Sequence, residues 1–164
     1  MQPPFLSIVI PAYNEERRIL DCLRQVTDYL GKCSYTWEVL VVDDGSTDGT
    51  ASLVGRFAAE VAGVRLERVR HGGKGWAVKN GMLRARGQYR FMCDADLSMP
   101  IQQVERFLPP TLKDYDIAIA SREVKGARRL GEPFRRHLMG RVFNLLVRAL
   151  ALPGITDTQC GFKC

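Results

Sequence analysis

Residues 37–50 read WEVLVVDDGSTDGT. An apolar, β-branched run passes without transition into eight residues that favour turns. The VLVV core of the run reads as a buried strand. The loop after it can cap a helix over residues 51–62, with Asp and Ser as capping types and Gly45 free to adopt a positive φ. Capping does not account for two adjacent carboxylates, Asp43 and Asp44, directly after so apolar a strand.

The same rhythm extends in both directions. Residues 5–10 (FLSIVI) read as a strand that Pro11 is expected to end, because proline cannot continue a central ladder. Residues 17–30 place Ile19, Leu20, Leu23, Val26 and Leu30 near helical spacing. Residues 64–69 read as a third strand, followed by HGGKG at 71–75. Residues 76–86 read as a helix with Gly87 as its C-cap. Residues 89–93 (YRFMC) read as a fourth strand ending in Asp94-Ala95-Asp96, residues 101–108 as a helix stopped by Pro109-Pro110, and residues 117–120 as a fifth strand. This alternation implies an α/β fold with a mostly parallel sheet, helices on both faces and right-handed crossovers. PAYNEE (11–16), DDGSTDGT (43–50), HGGKG and DADLS (94–98) each follow the carboxyl end of a strand, the edge at which open α/β sheets bind ligands. The four loops are therefore expected to line one crevice.

Composition fits that reading. The chain has 164 residues, 46% hydrophobic and 26% charged, which suits one soluble domain and excludes a disordered tail. Five Cys without a CxxC pair argue against a disulfide scaffold and for reduced thiols in the cytosol. No apolar run reaches the roughly 18 residues of a membrane span, and no leader pattern is read at Met1. The net charge of +6 is local: residues 121–150 carry eight basic side chains and two acids, and the rest of the chain is balanced. Such a segment suits an anionic partner or a solvated basic face. Within it, Leu138, Val142, Leu145, Leu146, Ala149 and Leu150 form one helical stripe with Arg141 and Arg148 opposite, as in a helix that packs on the domain or lies in a membrane interface.

Each loop has a chemistry of its own. Asp94 and Asp96, two residues apart after a buried strand, are costly unless paired or bound to a hard cation such as Mg²⁺ or Mn²⁺; a turn or helix cap uses the same residues. Asp44 can accept the imino N–H of a base or a ribose hydroxyl. Tyr13 offers a flat surface for a base, and Asn14 or Glu15 can bond ribose, although Asn14 could equally be an N-cap with Glu15 and Glu16 in the first turn. Gly72 and Gly73 let backbone approach a phosphate, with Lys74 as a point charge. Neither GxxxxGK[ST] nor GxGxxG is present.

PAYNEE, VVDDGSTDGT, GGKGWAVKNGM and DADLS, in this order after successive strands, resemble the family 2 inverting glycosyltransferases of GT-A (Rossmann-like, nucleotide-diphospho-sugar transferase) fold. Residues 119–122 (IASR), the Arg-rich segment, MGRVFNLLVRALALPGI and TDTQCGFK look like the dolichyl-phosphate β-glucosyltransferase branch. The resemblance implies a metal-dependent transfer of glucose from UDP-glucose to a polyprenyl phosphate at the cytosolic membrane face. It implies nucleotide contacts by Pro11, Tyr13, Glu15, Asp43, Asp44, Lys74 and Asp94, metal at Asp94 and Asp96, and acceptor contacts by Arg122, Arg128, Arg129, Arg135 and Arg136. Asp157 falls where relatives place a carboxylate near the reaction centre. A single domain over 1–164 is expected, with 1–120 the nucleotide-sugar half and 121–164 the start of the acceptor half. Relatives continue beyond GFK, so a chain ending at Cys164 is expected to lack part of that half.

Two other readings compete. A glycosyltransferase of the same fold could act on a saccharide or protein hydroxyl, with Asp157 as a true base. A nucleic-acid-binding module would suit the basic pI, but no aromatic residues interleave with the Arg cluster as stacking platforms.

Overall fold

The computed structural model describes residues 2–121 and 162–164. Four parallel strands form one sheet: β1 (Leu6–Ala12), β2 (Trp37–Asp43), β3 (Val64–Arg68) and β4 (Tyr89–Met92), in the spatial order β3-β2-β1-β4. The connections β1→β2→β3 run outward on one side, and β4 returns to the other side of β1. This reversal of strand order places a switch point between β1 and β4, where open α/β sheets leave a crevice.

The two central strands, β1 and β2, bury both faces, as their apolar runs require. On one face Leu6, Ile8, Ile10, Val39, Val41 and Phe91 pack against α1 (Ile19–Leu30), α2 (Thr50–Glu60) and a 3₁₀ helix (Ile101–Phe107). The buried residues of α1 (Ile19, Cys22, Leu23, Val26 and Leu30) are the stripe read from the sequence with Cys22 added and Leu20 only partly buried. On the other face Val9, Leu40 and Val42 receive Ala77 of α3 (Lys74–Arg84). Gly81 makes that approach possible: a Cβ there would lie 2.3 Å from Val9 Cγ1 and 2.8 Å from Val42 Cγ2.

Three expectations are corrected. Pro11 does not end β1: it pairs with Val42, and Ala12 pairs with Asp43. Ala12 O accepts from Asp44 N on the β2 side, whereas Val9 O accepts from Cys93 N on the β4 side. Backbone groups alternate along a strand, so Pro11 faces β4, where pairing has already stopped at Val9↔Met92. Its missing N–H therefore breaks no bond of the β1–β2 ladder. Gly87 is not the cap of α3, which closes at Ala85. It lies against β1 instead, its N–H donating to Ser7 Oγ at 2.7 Å where a Cβ would collide with Ser7. Residues 117–120 form only a bridge at Ile119↔Lys163. Ala118 exchanges backbone hydrogen bonds with Cys164, and Met92 N donates to Lys163 O, so residues 162–164 lie antiparallel between β4 and the 117–120 segment.

The amino ends of the strands are joined by a buried polar cluster. Glu38, 1% exposed, accepts from Ser7 Oγ at 2.7 Å, from Arg86 N at 2.6 Å, from the Arg86 guanidinium at 2.7 and 2.9 Å and from Arg65 at 3.2 Å. Burial alone would raise the Glu38 carboxyl pKa. The Arg86 backbone N–H, the Ser7 hydroxyl and the two guanidinium groups outweigh it and hold the group below its ordinary 4.5. A depressed carboxyl contributes stability that is present above the unfolded value and lost as pH falls through the folded one. Glu38→Gln should therefore cost about 2 kcal/mol near neutral pH, read as a lowered urea midpoint. The wild-type advantage should shrink as pH drops below the ordinary glutamate range; a pH-independent difference would contradict this account.

Candidate active site

The crevice at the carboxyl edge is a cavity of about 320 Å³ lined by Pro11, Ala12, Tyr13, Glu15, Arg18, Asp44, His71, Gly73, Lys74, Ala77, Asp94, Ala95 and Asp96. All four polar loops contribute. Of the described residues singled out from the sequence, Pro11, Tyr13, Glu15, Asp44, Lys74, Asp94 and Asp96 come together here. Asp43 does not line the cavity. Its fully buried carboxylate lies beneath the loop, accepting from Ser46 N at 3.2 Å and from Arg68 Nε at 3.3 Å. Arg122, Arg128, Arg129, Arg135, Arg136, Asp157 and the 138–150 stripe lie outside the described residues.

The β1–β2 register brings the first two loops side by side, and hydrogen bonds then interlock them. Asn14 N donates to Ser46 Oγ (2.9 Å), Glu15 N to Thr50 Oγ1 (2.8 Å) and Glu16 N to Asp48 Oδ2 (3.2 Å). In return Thr47 N donates to Asn14 Oδ1 (2.9 Å) and Gly49 N to Glu16 Oε2 (2.8 Å). Asn14 is thus not an N-cap: α1 begins after Arg18, and Asn14 takes a left-handed φ of 54° to make the turn that joins the loops. The interlock fixes Tyr13 and Glu15 relative to Asp44.

Asp44 is the anchor of the third loop. Its Oδ1 accepts from Gly72 N at 3.0 Å and its Oδ2 from Gly73 N at 2.8 Å, and His71 Nδ1 lies 2.9 Å from Oδ2. Gly73, at φ 86°, aims the chain into α3 so that Lys74 opens the helix. His71 stacks on Tyr13 with ring centroids 4.4 Å apart. The fourth loop is a tight turn. Leu97 N donates to Asp94 O, and Leu97 itself takes a φ of 45°. Asp94 Oδ1 pairs with Lys74 Nζ at 2.7 Å. Burial works to raise the Asp96 carboxyl pKa. The Ser98 backbone N–H and hydroxyl, with the positive charges of Arg18 and Lys74, overcome this and hold it below the ordinary aspartate value. Asp96 is therefore an anion at neutral pH.

His71 and Arg18 were not singled out by sequence reasoning. HGGKG draws attention to its glycines and lysine, while the helix reading of residues 17–30 rests on its apolar stripe. Arg18 instead turns back to Glu15 at 2.6 Å and lines the cavity.

Residues 7–164 match the family described as Glycosyl transferase family 2. The dolichyl-phosphate beta-glucosyltransferase ALG5C of Trichomonas vaginalis is 35% identical over 97% of this chain and 51% of its own length. The dolichyl-phosphate beta-glucosyltransferase of Mus musculus is 36% identical over 96% of this chain and 53% of its own. Among solved structures, a mannosyltransferase from Pyrobaculum calidifontis, held in complex with GDP-Man and Mn²⁺, superposes with a TM-score of 0.51 at 30% identity over 64% of this chain and 31% of its own. The chain belongs to glycosyl transferase family 2, with the GT-A, Rossmann-like fold, and spans about half the length of the curated relatives it matches.

Thr50 carries the junction between the first two loops: fully buried, it accepts from Glu15 N and donates to Asp48. Thr50→Val preserves shape but leaves the Glu15 N–H unpaired, so stability should fall by about 1–3 kcal/mol in urea unfolding. Amide hydrogen exchange at Glu15 should accelerate together with that loss; unchanged Glu15 protection would mean that the interlock does not hold the loop.

Proposed function

We propose that this family 2 chain carries the nucleotide-sugar half of an inverting transferase that moves glucose from UDP-glucose to a polyprenyl phosphate. The observation that carries the reading is the convergence of Tyr13, Glu15, Asp44, Lys74, Asp94 and Asp96 on one cavity at the strand-order reversal. Its size and mixed lining suit a nucleoside diphosphate. Similarity to dolichyl-phosphate beta-glucosyltransferases over nearly the whole chain supports the donor and the acceptor.

In this reading Tyr13 supplies the stacking surface for the base. Asp44 meets the base or ribose, Glu15 bonds ribose, and Asp43 keeps the loop beneath them rigid. Asp94 and Asp96 are hard oxygen donors on one turn, and Asp96 is ionised at neutral pH. Among the described residues no group of three or more His, Cys, Asp or Glu could hold a metal ion. A divalent cation held by this pair would thus keep positions open for diphosphate oxygens and water, so the donor set fits Mg²⁺ or Mn²⁺. When bound, the ion would neutralise charge on the departing diphosphate.

The acceptor explains why no strong base is required. A phosphate monoester is already anionic at pH 7, its second pKa lying near ~6. The work is to hold two anions on opposite sides of the sugar C1. Arg122, Arg128, Arg129, Arg135 and Arg136 offset their repulsion and align the acceptor for in-line attack, which inverts C1. Asp157 orients the sugar or one of these arginines. The basic 121–150 segment suits a peripheral position on an anionic cytosolic membrane face, and no helix among the described residues is long and apolar enough to cross a membrane.

Calorimetry of the chain against UDP-glucose and GDP-mannose, with and without Mn²⁺, tests the reading. UDP-glucose should bind in preference, and more tightly with metal. Asp96→Ala should remove the metal-dependent part of binding while circular dichroism stays unchanged. A metal increment retained in that variant would contradict the assignment of Asp96, and a preference for GDP-mannose would contradict the donor.

A further inference from the structure

The acids that line the cavity already have partners. Glu15 holds Arg18 at 2.6 Å, Asp44 is bonded by the Gly72 and Gly73 N–H groups, and Asp96 accepts from Ser98 N at 3.0 Å. Asp94, like Glu15, is paired with a cation on an exposed side chain, but one from a different loop: Lys74 Nζ, 2.7 Å from Oδ1. The lysine side chain is 59% exposed and that of Asp94 29%, so the pair sits at the water boundary, where such contacts are weak. A lysine is a point charge on a flexible four-carbon stem, able to change partner by rotation alone. Its backbone is not free to move in the same way. Lys74 follows Gly73, whose N–H is fixed on Asp44, so its Cα stays beside the cavity while Nζ can sweep across it.

We infer that Lys74 is a resident counter-ion for the Asp94–Asp96 pair, displaced from Asp94 when a divalent cation binds and free to follow the incoming diphosphate. The inference rests on the reading of Asp94 and Asp96 as metal-holding residues and goes beyond it by giving the lysine two successive partners. In the ligand-free chain Lys74 stands where it relieves repulsion between Asp94 and Asp96, and it also acts electrostatically on Asp96. A divalent ion must break the Lys74–Asp94 contact and meet a positive charge as it does so, and metal alone is therefore held weakly. A diphosphate arriving with the metal gives the lysine a new anion. Metal and nucleotide then favour each other's binding, with one side chain moving between two sites.

Removing the lysine should have opposite effects on the two ligands. Mn²⁺ titration of the chain without nucleotide, followed by electron paramagnetic resonance of the free ion, should show roughly fivefold tighter binding for Lys74→Met than for wild type, the scale of an exposed ion pair. In an Asp94→Asn background the same substitution should change Mn²⁺ affinity less than twofold, because the competing contact is gone. Calorimetry with UDP-glucose and saturating Mn²⁺ should show weaker nucleotide binding in Lys74→Met. Equal or weaker Mn²⁺ affinity in Lys74→Met, or no saturable Mn²⁺ binding by either protein, overturns the inference. A wild type that shows the Mn²⁺ difference yet binds no nucleotide sugar keeps the lysine exchange and loses the donor assignment.

Discussion

The crevice depends on two strands ending level with one another. Ala12 pairs with Asp43, and the Asp44 N–H then donates to Ala12 O as the last bond of the ladder. A one-residue slip would send every side chain of a strand to the opposite face of the sheet, so the buried pattern on both faces holds the register. Once it is held, the chain leaves β1 and β2 side by side with loops of similar length, and their exposed N–H groups meet the oxygens of the neighbouring loop. The interlock of Asn14, Glu15 and Glu16 with residues 46–50 extends the ladder's hydrogen bonding by other donors and acceptors.

Rigidity reaches the rest of the site through Asp44. One carboxylate takes the two amide groups that would otherwise leave the third loop open, and that loop delivers His71 and Lys74. Backbone N–H groups bonded to a carboxylate make charge-assisted contacts, about twice as strong as neutral ones. The fourth loop depends on a different device, a turn that holds Leu97 at a φ of 45° so that Asp94 and Asp96 both line the cavity. Non-glycine residues rarely adopt this conformation, and sites of ligand contact are where they gather.

The strands and helices were readable because burial on two faces leaves continuous apolar runs, and α1 shows an amphipathic stripe. The meeting of four loops was readable too, since a parallel sheet sends every strand's carboxyl end to the same edge. Other features depended on tertiary contacts. Whether Pro11 ends or continues a strand turns on which neighbour its nitrogen faces. Gly87 looks like a helix cap until Ser7 is seen beneath it. Residues 117–120 have the composition of a strand, but their partner is the 162–164 segment rather than the parallel sheet. The sequence pointed to Asp43 and Asp44 alike; only their environments separate them, one buried on Arg68 and the other facing the cavity. His71 carries no local signal, because it acquires its place through Tyr13 and Asp44 on the two adjoining loops, and Arg18 acquires its place by turning back to Glu15 at the cavity wall.

Glu38 and its partners sit at the amino ends of the same strands whose carboxyl ends carry the cavity. The five steps from Glu38 to Asp43 span about 17 Å of extended chain, well beyond the distance at which substitutions usually cease to influence one another. Cohesion and recognition are thus housed at opposite poles of one sheet. Lineages that inherit this arrangement can alter the lining of the cavity, or harden the far pole against heat, with little interference between the two histories.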